Sequence, residues 1–222
     1  MKVRTNPLLM ARQVPDEVFE LPRAVAVQGQ EAKARLRAKD RGSRKKFIQA
    51  RNAEDLAQYL PLPEGGWLQG LVPGDFVFGD ILPVLARYAK PKRILISTLS
   101  MSKHNVDMLV RMREDLESML VLVSTYWRNT DKQGVQWYLD DVAKKHDITV
   151  KQVRIHAKIS VMLGGSSYVM AGSANLRSSD SIEHFTLINS DELAASHEQT
   201  FEWLADNRGA LLEEKPKYDS TL

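Results

Sequence analysis

A chain of 222 residues with 43% apolar content allows one sizeable domain with an appendage, and it can bury a real core. It has no cysteine, which excludes disulfides and thiolate zinc sites, and its five histidines show no H-E-x-x-H spacing, so no metal site or cofactor is expected. The formal net charge is +3; Met1–Pro7 lacks the apolar core of a signal peptide and no stretch reaches the ~20 apolar residues of a membrane span, so a soluble cytoplasmic protein without membrane insertion is expected.

That small net charge hides an asymmetry. Residues 1–50 hold 12 Lys or Arg against 5 Asp or Glu, whereas the rest holds 19 against 23. The excess gathers in Lys33, Arg35, Arg37, Lys39, Arg41, Arg44, Lys45 and Lys46. Such a run neutralises phosphates whatever their sequence, which points to nucleic acid, although anionic lipid answers the same charge. Gly42 and Ser43 interrupt it, so residues 1–52 read as a basic arm or helical extension and residues 53–222 as the folded domain.

In chain order, Ala53–Leu60 reads as a short helix ended by Pro61 and Pro63. Asp80–Tyr88 reads as a helix with Pro83 tolerated in its first turn. Arg93–Thr98 is an apolar run suited to a covered strand, and Ser102 caps a helix carrying Val106, Leu109, Val110, Met112 and Leu116. Met119–Ser124 repeats the strand, Asp131–Lys145 is helical across Gly134, and Ile148–Val153 is a further strand. Phe185–Ile188 and Asp191–Asn207 supply a last strand and an amphipathic helix. This alternation predicts an α/β fold whose parallel strands are joined by helical crossovers.

Between Val153 and Phe185 the pattern changes. Ile155, Ala157, Ile159, Val161 and Leu163 recur every second residue, which predicts one alternating strand with His156, Lys158 and Ser160 on its other face. Gly164–Ser167 supplies a turn, and Tyr168–Gly172 returns as a hairpin partner that delivers Ser173 and Asn175 near the strand end. H-x-K alone recurs by chance, and Gly-Ser-x-Asn alone is most often a turn. Their combination on one hairpin, followed by Glu183, brings together a nucleophilic imidazole, a phosphate-binding cation and hydrogen-bond donors for nonbridging oxygens. His184 falls on the opposite strand face from Glu183 and His197 in a helix; His104 and His146 are not followed by Gly-Ser-x-Asn.

The stretch His156-Ala-Lys158 with Gly172-Ser173-Ala-Asn175 resembles the H-x-K…G-S-x-N signature of the phospholipase D superfamily. The resemblance covers roughly residues 76–208, and in it the chain looks like the small single-motif nucleases of bacteria and their phages. It departs from the signature at Leu163, where the family carries an Asp, and in a slightly longer spacer to Gly172. It implies a phospholipase D-like mixed sheet flanked by helices, with the basic extension added. It also implies a metal-independent phosphodiesterase acting on DNA or RNA through a phosphohistidine at His156. Lys158, Ser173 and Asn175 then hold the phosphate, and Glu183 orients the histidine. Two histidines are needed and one motif is present, which implies a homodimer with its site on the two-fold axis.

In open α/β sheets ligands sit beyond the carboxyl ends of strands, which points to Thr98, Ser100, Thr125, Tyr126 and Trp127 as candidate site walls; Trp127 with Arg128 could stack on and pair with a nucleotide, although an aromatic at a strand end is more often simply packing. Leu163 supports an alternative, a noncatalytic nucleic-acid-binding or assembly module; a phospholipid hydrolase is a third reading with the same chemistry.

Overall fold

The apolar runs at 93–98 and 119–124 become the middle of a mixed sheet because each is covered on both faces. The computed structural model describes residues 47–49, 53–72, 78–177 and 181–207. Among these residues the strands are β1 Phe47–Gln49, β2 Trp67–Val72, β3 Pro91–Thr98, β4 Ser118–Ser124, β5 Thr149–Val153, β6 Ile159–Gly164, β7 Tyr168–Gly172 and β8 Glu183–Asn189. They form one eight-stranded sheet in the order β1-β2-β8-β7-β6-β3-β4-β5. β3, β4 and β5 are parallel. From β3 outward, β6, β7, β8 and β2 pair antiparallel, and β1 lies outermost, parallel to β2.

The helices are α1 Ile81–Ala89, α2 Lys103–Arg113, α3 Thr125–Thr130, α4 Val135–Lys145 and α5 Asp191–Asp206, with 3-10 turns at Ala53–Tyr59 and Phe78–Asp80. Ser102 and Ser190 start α2 and α5 by accepting from the N–H groups of Asn105 and Leu193. α1, α2, α4 and the first 3-10 turn cover one sheet face, where Ile94, Ile96, Val121, Met162, Met170 and Phe185 are buried with Leu85, Leu109 and Leu139. α5 covers the other through Ala194, Phe201 and Ala205, which pack on Leu95, Leu120, Val161 and Val169. This is the mixed α/β fold expected from the sequence.

Several elements differ from their sequence reading. α4 begins at Val135, not Asp131, because Gly134 turns the chain at φ 69° and the Asp131 carboxylate accepts from the N–H groups of Gln133 and Gln136. Residues 125–130 form α3, where the sequence reading has only a strand end. The motif strand starts at Ile159, so His156 and Lys158 lie just before it. Its alternation is real, since Ile155, Ile159, Val161 and Leu163 pack toward α5. Ser160, however, is buried and does not accompany His156. Strand order gives the reason: the chain must pass from β5, on one flank, to β6, on the far side of β3. Residues 154–158 make that passage outside any ladder.

β1 and β2 have no counterpart in the sequence reading. The sheet thus begins at Phe47, inside segment 1–52. Lys33, Arg35, Arg37, Lys39, Arg41, Arg44, Lys45 and Lys46 lie outside the described residues. No described helix is long and apolar enough to cross a membrane.

Candidate active site

Sheet topology gathers the chemistry-bearing residues at one edge. β3, β4 and β5 end there at Thr98, Ser124 and Val153. β6 runs antiparallel to β3 and starts at the same edge, with Ile159 opposite Ser97. β7 ends there and β8 begins there, with Gly172 opposite Phe185. The crossover before β6, the loop after β7 and the first residue of β8 therefore bring His156 and Lys158, Ser173 and Asn175, and Glu183 to one rim.

On the crossover, His156 is exposed and Lys158 partly buried. Lys158 Nζ lies 3.1 Å from His156 Nδ1 and 3.4 Å from Nε2, and donates to the His156 carbonyl at 2.8 Å. Burial lowers the Lys158 pKa below the usual lysine value, and the Glu183 carboxylate partly opposes that shift. Ser97, buried in β3, donates through Oγ to the Ala157 carbonyl and accepts from the Ile159 N–H. Gly172 N–H donates to the Lys158 carbonyl at 3.1 Å, which ties the crossover to the end of β7.

In the second segment, Ser173 Oγ donates to Glu183 Oε2 and accepts from His184 N–H at 3.1 Å. Ser173 N–H in turn donates to the His184 carbonyl at 3.1 Å, so the loop docks on β8 through both its backbone and its side chain. Glu183 is thus bonded to Ser173, and no hydrogen bond joins it to His156 among the described residues. Asn175 Oδ1 is buried without a partner among the described residues. The loop is anchored one residue later, where the Leu176 carbonyl accepts from Asn105 Nδ2 at 2.7 Å and from Ser102 N–H at 2.8 Å. Ser97 and Asn105 carried no sequence signal beyond being short polar residues beside apolar ones.

Two open clefts flank this rim. One, of about 790 Å³, is lined by His156, Arg154, Tyr126 and Asn129. The other, of about 540 Å³, is lined by Ser100, Tyr126, Lys132 and Arg177. Thr98, read as a wall, is buried and works internally: its Oγ1 donates to the Ser100 carbonyl and accepts from Leu176 N–H. Trp127 lines the second cleft but is only 6% exposed. Arg128 donates to Gln152 Oε1. Trp127 thus takes the packing role rather than the stacking one, and Tyr126 is an exposed aromatic at the rim.

Leu163 sits four strand positions beyond Ile159, roughly 13 Å along β6 at ~3.3 Å per residue. It lies opposite Arg93 and packs toward α5, at the end of the strand away from the rim.

The mixed eight-stranded sheet flanked by helices is consistent with the phospholipase D-like fold expected from the sequence. Polyphosphate kinase from Porphyromonas gingivalis is similar at 14% identity with a TM-score of 0.53, over 74% of this chain and 29% of that one. The archaeal chromatin protein TrmBL2, described with a novel mode of DNA binding, is similar at 12% identity with a TM-score of 0.43, over 82% and 65% of the two chains. Phosphatidylserine synthase from Haemophilus influenzae Rd KW20 is similar at 13% identity with a TM-score of 0.43, over 70% and 43%. The chain thus spans less than two thirds of each of these proteins. No family model and no curated protein matches it by sequence.

Proposed function

We propose that the protein is a phosphodiesterase acting on nucleic acid, with His156 as nucleophile and a homodimer as the working unit. The observation that carries this is the arrival of His156, Lys158, Ser173 and Glu183 at one sheet edge from separate chain segments. Lys158, now turned to His156, swings to a nonbridging phosphate oxygen when substrate enters. The ring nitrogen it leaves attacks phosphorus; the P–N bond forms as the P–O bond to the leaving nucleoside breaks. His156 of the partner subunit protonates the departing oxygen. Water then attacks the phosphohistidine, giving its proton back to His156 of the partner subunit as the P–N bond breaks, and the net products are an alcohol and a phosphomonoester.

Charge that builds on the phosphoryl oxygens is met by Lys158, the Asn175 amide and the Ser173 hydroxyl. In the free protein the Ser173 proton is committed to Glu183, so Glu183 acts on this serine and offsets the Lys158 charge. This residue set stabilises the reaction without calling on a metal. The basic run Lys33–Lys46 supplies sequence-independent affinity that weakens with salt.

The test is to incubate wild type and His156→Ala with labelled single- and double-stranded DNA in excess EDTA, resolving both scission and retardation. Scission by wild type alone, with retardation by both, is the expected result. Cleavage retained by His156→Ala removes the assignment of the nucleophile; retardation without any scission leaves a noncatalytic binding module.

A further inference from the structure

Tyr126 stands between the two clefts at the rim and lines both. The residue is 62% exposed, whereas its neighbour Trp127 is 6% exposed and fixed in the core. Its backbone is held at the start of α3, where its N–H donates to Ser124 Oγ. The ring thus projects from the start of α3 with its surface open. Cations lie on both sides of it: Arg154 in the cleft of His156, and Lys132 and Arg177 in the other. Each of the three is exposed. Asp131, the carboxylate lining the second cleft, is already turned to the N–H groups of Gln133 and Gln136.

An exposed aromatic between cations is the pattern that holds an unpaired strand, since every base offers a face to stack and each phosphate a charge. In a duplex those faces are covered by neighbouring bases. We propose that Tyr126 is a nucleobase platform: a base next to the scissile phosphate stacks on its ring while Arg154 and Arg177 hold the phosphates on either side, so the substrate is single-stranded. This rests on the phosphodiesterase reading of His156 for the position of the scissile phosphate, but base stacking itself is measurable without turnover.

The test uses full-length protein in the His156→Ala background, titrated into a single-stranded oligonucleotide carrying 2-aminopurine. Stacking quenches that fluorophore. Adding Tyr126→Ala abolishes the quench and weakens single-strand binding about tenfold, the scale of one lost base–aromatic stack. Tyr126→Phe preserves both, and affinity for a blunt duplex changes far less. A quench that persists in Tyr126→Ala, or an equal loss for duplex, overturns the platform. Quenching by a wild type that cuts nothing leaves the platform standing and removes the phosphodiesterase reading. Cleavage of single strands with a KM unmoved by Tyr126→Ala does the reverse, and absence of binding overturns both.

Discussion

The Ser97 hydroxyl donates to the Ala157 carbonyl at 3.1 Å and receives the Ile159 N–H at 3.2 Å, so one buried side chain grips the crossover on both sides of Lys158. The crossover has no ladder of its own, and this grip together with the Gly172-to-Lys158 bond sets where His156 and Lys158 stand.

Replacing Ser97 with Ala removes both bonds and leaves a carbonyl and an N–H short of a partner. The expected destabilisation is roughly 1–3 kcal/mol. Activity should fall further than the folded fraction accounts for, because the positions of His156 and Lys158 are loosened together. Thermal unfolding beside kcat measured well below the transition separates the two effects; full activity in folded Ser97→Ala would show that the crossover is held by other contacts.

On the proposed chemistry, Lys158 should set the alkaline limit. Burial lowers its pKa, so the ammonium is lost at a pH below the ordinary lysine range. Phosphate capture needs the charged form, and kcat/KM, which reports the free enzyme, should therefore fall on an alkaline limb below that range. Lys158→Arg keeps its charge and should move the limb upward while lowering the maximum. The stability consequence has the opposite sense: between the lowered folded value and the unfolded one the unfolded chain binds more protons, so this residue's contribution to stability rises with pH. An unchanged limb in Lys158→Arg would assign it to another group.

Leu163→Asp restores the residue that the resemblance leads one to expect, yet it should not improve catalysis. Position 163 lies at the far end of β6 opposite Arg93, whose guanidinium bonds Glu198 and Glu202 of α5, so a carboxylate there faces that ion-pair cluster and is remote from His156. Lost apolar packing against α5 should cost about 1–2 kcal/mol, partly offset by the facing Arg93. A variant with lower denaturant midpoint and unaltered kcat is expected; a gain in kcat would give this strand end a part in the chemistry.

Much of the region from Ile81 to Asp206 was legible because its helices and strands follow plain 3.6- and 2-residue periods. The motif residues were legible as types. Their local geometry was not, because the exit of His156 and Lys158 from the strand follows from β5 and β6 lying on opposite flanks of β3 and β4, a property of sheet order. β2 escaped notice because Gln69 and Gly70 break its apolar pattern and its partner β8 is remote, with Gln69 meeting Thr186 across 117 positions. The choice between adjacent aromatics turned on α3: the strand-end reading favours packing for Trp127 but gives no sign that Tyr126 would be left exposed.

Strand order along the chain also bears on when the site comes into being during folding. β6, β7 and β8 are successive antiparallel neighbours, so their contacts close short loops at small entropic cost. The junction of β3 with β6 must close a much longer one, with Ser97 and Ile159 separated by 62 positions. A nascent meander can therefore carry Lys158, Ser173 and Glu183 while still lacking the Ser97 grip and the Tyr126 wall. On this reasoning, docking of the meander against the parallel half would be the step that completes the rim.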